Sequence, residues 1–304
     1  MTETVRLDGV TKSYGGIDAI RDATYSLKAG ETIALVGHNG AGKTTMIKLM
    51  LGLIHPSAGA VQVLGDDPAA GQFAARRRLG YLPEHVSFNM ALTGAETLAF
   101  YARLKSAPKA DIARLLDHVG LTDAAGRRVG TYSKGMRQRL GLAQALLGSP
   151  AVLLLDEPTT GLDPALRQHF YDLLETMRAE GATILMSSHA LTELESKVDR
   201  VIIANRGRVI ADGSIEDLRR IAQLPVRVRL GFGPDGMPPQ IVGTTLEWRR
   251  IGANRFEAET TSQGKLPLLR EALAANGNLA DVDILAPTLD ELYAHFLQSK
   301  EAAE

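Results

Sequence analysis

No cysteine occurs in the 304 residues, which excludes a disulfide framework and any thiolate metal site and fits a reducing cytoplasm. An excess of one charge is missing as well: 34 lysines and arginines stand against 35 aspartates and glutamates. A dedicated nucleic-acid binder usually carries a basic stripe and a high isoelectric point. Nucleic acid is therefore not an expected partner, and local basic clusters such as Arg76-Arg77-Arg78 are small. The seven histidines are scattered, without the close pairs of a transition-metal site. No window approaches the roughly 20 apolar residues of a membrane span, and the opening MTETVRLDG lacks the basic and apolar regions of a secretory leader. Any work at a membrane is expected to run through a partner chain.

What is present is an ordinary globular composition, 45% hydrophobic and 23% charged, over a length that suits roughly two domains of about 150 residues. Residues 1–222 read as an α/β unit. Its short runs Thr32–Val36, Val152–Leu155 and Thr183–Met186 are apolar on both faces. Strands covered by helices on both sides read this way, so a mostly parallel sheet is expected. A helical segment interrupts the unit at about 85–150, where Thr93 and Glu96 form a capping box ahead of Leu98, Phe100, Tyr101 and Leu104. Residues 223–304 read as a small α+β domain. VRVRL, WRRI and RFEAET are strand-like, with the glycine and proline cluster GFGPDGMPP between the first two. Leu266–Ala275 has helical spacing, Val282–Leu285 reads as a strand, and Thr288 with Glu291 caps a last helix. This second domain carries no motif of chemistry.

The chemistry is concentrated in the first domain. VGHNGAGKTT follows the strand TIALV and precedes a helical pattern, the context in which G-x-x-x-x-G-K-[ST] binds phosphate. Over Gly37, His38, Asn39, Gly40, Ala41 and Gly42, successive main-chain N–H groups are expected to wrap a β-phosphate at a helix N-terminus. Lys43 is expected to reach the β- and γ-phosphates. Thr44, followed by Thr45, would set a hydroxyl on Mg²⁺.

Downstream, the apolar run VLLL delivers Asp156 and Glu157 to the carboxyl end of a parallel strand, where open α/β sheets bind their ligands. Asp156 would hold a water on Mg²⁺, and Glu157 is the candidate general base for an attacking water. Two acids after an apolar run also suit a solvated strand end; the phosphate loop in the same chain favours chemistry. His189, after the run TILMSS, would meet the γ-phosphate or the water, although a lone histidine there is more often a surface residue.

These motifs, with Tyr132-Ser133-Lys134-Gly135-Met136 opening a helix before LLLDE, resemble the ATP-binding-cassette family over about the first 215 residues. The resemblance implies a P-loop cassette that hydrolyses ATP with Mg²⁺. It implies that Tyr14, in KSYGG, stacks on adenine. It also implies that Ser133 and Gly135 serve the nucleotide of a second copy in a head-to-tail dimer, and that Asp163, in TGLD, runs across the same interface. The family's usual glutamine near Mg²⁺ is here Glu84, a charge in place of an amide, and His38 replaces a common proline. The neighbourhood YLPEHVSFNMALTGAETLAFYARLK and the tail APTLDELYAHFL resemble an exporter-type branch, and within it the copper-processing ATPases of nitrous-oxide reductase maturation. That implies an integral membrane permease as partner, a periplasmic accessory protein reached through the complex, and a place on the cytoplasmic face of the cell membrane.

Three further readings compete: the ATPase of a drug, lipid or polysaccharide exporter; a soluble cassette ATPase acting on ribosomes or DNA; and a regulatory module built on the second domain. For the last, Leu289, Leu292, Tyr293 and Phe296 are expected to be core or dimer contact rather than a ligand site.

Overall fold

The computed structural model describes residues 2–71, 73–160, 162–189, 191–233, 246–275 and 279–301. The chain divides into two compact units, Met1–Ser214 and Ile215–Glu304. The change of residue pattern near Leu224 puts a boundary at 222/223; the helix Ile215–Ala222 instead falls in the second unit. Most of the glycine and proline cluster, from residue 234 onward, lies outside the described residues.

The first unit begins with two long strands, β1 (Glu3–Tyr14) and β2 (Ile17–Lys28), followed by β3 (Thr32–Val36), α1 (Lys43–Met50) and β4 (Ala58–Val63). After α2 (Phe73–Arg77) and β5 (Leu79–Leu82) come three helices, α3 (Gly94–Lys105), α4 (Ala110–His118) and α5 (Lys134–Leu146). The unit closes with β6 (Val152–Asp156), α6 (Pro164–Ala179), β7 (Thr183–Ser188), β8 (Arg200–Asn205) and β9 (Arg208–Gly213).

The six-stranded sheet has the order β5-β6-β7-β3-β8-β9 and is parallel except where β9 turns back on β8. Every residue of β3, β6 and β7 is buried, as continuous apolar runs require. Register then decides function: Val36 pairs with Ser188 and Asp156 with Ser187, so Gly37, Glu157 and His189 leave three adjacent strands at one carboxyl edge.

A separate antiparallel sheet, β2-β1-β4, shares a core with the first through Val5, Leu7, Val10, Ile20 and Leu27 against Ile33, Leu35, Met46 and Ile47. The reading of one mostly parallel sheet did not include it. In the helical segment, Thr93 caps α3 by the reciprocal bonds expected of it, its N–H donating to Glu96 Oε2 at 2.8 Å and its Oγ1 accepting from the Glu96 N–H at 3.2 Å.

The second unit comprises α7 (Ile215–Ala222), β10 (Val226–Phe232), β11 (Arg249–Arg250), β12 (Arg255–Thr260), α8 (Lys265–Ala275), β13 (Leu279–Leu285) and α9 (Leu289–Glu301). Its antiparallel sheet, β11-β12-β10-β13, buries Val228, Leu230, Phe232 and Phe256 against Leu268 and Ala272 of α8. The other face of the sheet is charged. Register stacks Arg249, Glu257, Arg229 and Asp283 in one cross-strand row. Arg229 Nε donates to Glu257 Oε2 at 2.7 Å and Arg249 Nη2 to Oε1 at 2.8 Å. The bond from Arg229, with that from Arg249, holds the Glu257 carboxyl below the usual carboxylate range. One row along, Arg255 Nη2 reaches Asp281 Oδ2 at 2.9 Å across Gly231. A Cβ at Gly231 would come within 3.0 Å of Asp281 Cβ and 3.8 Å of Arg255 Cγ. Leu289, Leu292 and Phe296 are buried. Thr288 caps α9 through Glu291.

Candidate functional site

The loop that leaves β3 cannot be built from ordinary residues. At Gly37 a Cβ would stand 2.5 Å from the Ala204 carbonyl, and at Gly42, with φ +101°, 2.6 Å from Ile20 Cδ1 and 2.9 Å from the Ala19 carbonyl. Glycine answers both demands, the close approach and the left-handed backbone. Gly42 caps α1, whose first turn holds no acid, so its end presents N–H groups and the positive end of the helix dipole to an anion.

This loop forms one wall of a cleft of about 610 Å³, from His38 to Thr45, with Glu84, Asp156, Glu157, Thr160 and His189 on the other walls. Lys43 is buried, and its ammonium donates to the carbonyls of Gly37 and His38. Among the described residues it pairs with no carboxylate. A buried cation satisfied only by neutral carbonyls is poised for an anionic ligand.

Opposite, the Asp156 carboxylate is buried and accepts from Thr44 Oγ1 at 2.9 Å and from Ser187 Oγ at 2.7 Å. Ser187 Oγ in turn accepts from the Glu157 N–H at 2.9 Å. One serine on β7 therefore sets both acids at the end of β6. Glu157 has φ +48°, a backbone few non-glycine residues adopt and one that persists only where its surroundings enforce it. Its carboxylate accepts from His189 Nδ1 at 2.8 Å, and the imidazole itself is exposed. Tyr81, on β5, has its phenol pushed up to about 12 by burial, with the charge of Asp156 adding to the effect, so it stays neutral beside the acids.

Not every predicted residue joins this cleft. Tyr14 ends β1 half exposed, with the Lys12 ammonium 5.1 Å from its ring centroid, and is not part of the cleft lining. Ser133 caps α5, its Oγ accepting from the Met136 N–H at 3.2 Å. Beyond its own helix and neighbours, a Cβ on Gly135 would meet open space among the described residues. Asp163 caps α6 through the Leu166 N–H at 2.9 Å. None of these three lines the cleft.

Three polar residues of the site region went unread in the sequence: Thr160, which lines the cleft, Ser187 and Asn205. Ser187 is the last residue but one of β7 and Asn205 the last of β8, and for these two the place at a strand end is the only signal they carried.

Fold and site together define a P-loop nucleoside triphosphatase, with a phosphate cradle and an acid pair at the carboxyl edge of a parallel sheet. A family profile described as ABC transporter matches residues 20–160. The chain is 33% identical to the daunorubicin resistance ATP-binding protein DrrA3 of Streptomyces coeruleorubidus, over 98% of both proteins. It is 40% identical to the Nod factor export ATP-binding protein I of Burkholderia orbicola, over 74% of this chain and 75% of that one. A solved ATP-binding subunit of an ABC transporter superposes with a TM-score of 0.69 at 33% identity, over 72% of this chain and 92% of that one. The chain belongs to the ABC transporter family as an ATP-binding subunit, an ATPase whose hydrolysis is coupled to transport. Among the described residues, no helix is long and apolar enough to cross a membrane.

Proposed function

We propose that the chain works as a head-to-tail pair of identical subunits that hydrolyse two ATP molecules at their interface and so drive a separate integral membrane permease from its cytoplasmic side. The observation that carries this is the split in the site. Loop, lysine and acids share one cleft, while Ser133 and Gly135 stand outside it at the exposed start of α5. A second copy would close the cleft with that helix N-terminus, which suits a γ-phosphate, and with Asp163 beside it.

Mg²⁺ fits the residues present. Thr44 Oγ1 and Asp156 Oδ2 lie 2.9 Å apart, and both are hard oxygen donors of the kind this ion takes together with phosphate oxygens and waters. The ion would neutralise charge on the phosphates. Glu84 is a third oxygen donor at the same cleft. Glu157, held by Ser187 and His189, acts as general base on the attacking water. Tyr14 stacks on the adenine. On the helical segment, Phe100 and Leu104 lie one turn apart on α3, both exposed, beside Tyr101 and Phe88. An exposed apolar patch of this kind suits a protein partner, and we assign it to the permease.

For the cargo, the resemblance of the sequence supports copper-site assembly of nitrous-oxide reductase, with a periplasmic accessory protein as a further member of the complex. The relatives named for daunorubicin resistance and Nod factor export favour a second reading, the ATPase of a drug, lipid or polysaccharide exporter. Copurification from membranes tests the core of the proposal: a multi-span protein retained with the chain and raising its ATP turnover is expected, and ribosomes or nucleic acid in its place would refute it. Deleting the gene separates the cargoes. Loss of the copper centres of nitrous-oxide reductase marks the first, and drug sensitivity with intact centres the second.

A further inference from the structure

The phosphate loop does not stand on its own glycines. The turn between β8 and β9 is two residues long, Arg206 at φ +46° and Gly207 at φ +79°, the pairing that suits a tight hairpin. This hairpin packs against the loop at three points. The Gly207 N–H donates to the Ala41 carbonyl at 3.1 Å. The Ala204 carbonyl occupies the space a side chain on Gly37 would need. Asn205, buried at the end of β8, has its Oδ1 2.7 Å from His38 Nε2. The other ring nitrogen, His38 Nδ1, lies 2.6 Å from the Asn39 carbonyl. The Gly207 carbonyl accepts from the Arg21 N–H at 2.8 Å, which ties the turn to β2 as well.

The chemistry of the two His38 contacts is unequal. A main-chain carbonyl only accepts, so Nδ1 carries the hydrogen. A side-chain amide offers oxygen or nitrogen by a half-turn, so Asn205 can serve Nε2 whether it donates or accepts. The ring is thereby fixed between the β8 end and the outer corner of the loop, at the mouth of the cleft where His38 to Gly40 lie exposed. We propose that Asn205 is a positioning residue for ATP: acting through His38, it holds the outer half of the phosphate loop in the shape that receives the phosphates. Asn205 touches no reacting atom. It acts on binding rather than on the hydrolytic step, because Glu157, Asp156 and Thr44 are held by Ser187 and by each other and not by this hairpin.

The test measures the affinity of the full chain for a fluorescent ATP analogue, together with ATP turnover at saturation. Asn205→Ala and His38→Ala are each expected to raise Kd about 3- to 10-fold, the range of one hydrogen bond; for Asn205→Ala, whose residue lies outside the cleft lining, turnover at saturation is expected within about 2-fold of the parent. The double variant is expected to bind within about 2-fold of the weaker single variant, because the two residues act as one unit. His38 is exposed, so its replacement reads out even where an Asn205 variant folds poorly. A His38→Ala chain that binds as tightly as the parent overturns the proposal. So does a double variant whose loss is the product of the two single losses, or a fall in turnover at unchanged Kd.

Discussion

The cleft of the first unit and the sheet face of the second both concentrate charge, and they treat it in opposite ways. On the sheet face, Glu257 is clasped by Arg229 and Arg249, Arg255 meets Asp281 and Arg227 meets Glu291. The charges compensate one another within the fold, and such a surface asks for no ligand. In the cleft, among the described residues, Lys43 has two carbonyls and no acid, Asp156 has two hydroxyls and no cation, and Glu157 has a single exposed histidine. Each group is hydrogen-bonded, so the fold tolerates it, yet none is neutralised. A cluster of charges satisfied by dipoles alone is the physical mark of a site awaiting a charged partner. That distinction explains why the alternating arginines of VRVRL do not make a basic binding surface.

The largest effect that would break this contrast lies at Glu157. On the proposed role, replacing it by glutamine keeps shape and removes the base, so Glu157→Gln is expected to bind ATP and turn it over about 10²- to 10⁴-fold more slowly, with the closed pair accumulating on its membrane partner. Steady-state ATPase assays of the assembled complex decide the matter, and unaltered turnover would remove Glu157 from the role of base. Next in size is Ser133. On the proposed pairing, Ser133→Ala would lose the contact to the second copy's nucleotide, so turnover is expected to fall about tenfold, in the range of a charge-assisted hydrogen bond, while the isolated subunit binds nucleotide as before. A loss of single-subunit binding as deep as that of Lys43→Ala would contradict the shared site.

How far these regions could be read in the sequence follows the distance between the residues involved. Gly37 to Thr45 is one unbroken stretch between a strand and a helix, and Asp156 and Glu157 end a run whose buried pattern is plain, so motif and position appear together. Ser187 and Asn205 escape because their partners, Asp156 and His38, are 31 and 167 residues away, and only strand register brings them close. The β2-β1-β4 sheet was missed for a related reason: bulges at Leu7/Val10 and Val10/Lys12 interrupt the alternation that marks a half-buried strand. The boundary at 214 was missed because α7 precedes the change of composition near Leu224. The charged row across β11, β12, β10 and β13 is invisible residue by residue, since arginine and glutamate in a strand look like a solvated face until the register is known.

The smallest expected effect sharpens the contrast from the other side. Arg229 and Arg249 keep the Glu257 carboxyl below its ordinary value in the folded chain. A depressed carboxyl stabilises the fold at every pH above the unfolded value of about 4.3. That contribution is lost as pH falls through the lower, folded value. The second unit is thus expected to lose stability on acidification below about pH 4. Glu257→Gln removes one acceptor charge and leaves two solvent-accessible arginines over an amide, so it should cost about 0.5–1.5 kcal/mol at neutral pH and flatten the dependence on acid. Thermal melts of the full chain between pH 3 and 7, in the parent and the variant, measure both. ATP affinity should stay unchanged, because the charges of this face are spent on one another; a variant that lost nucleotide binding in step with stability would mean that the sheet face and the cleft are not independent.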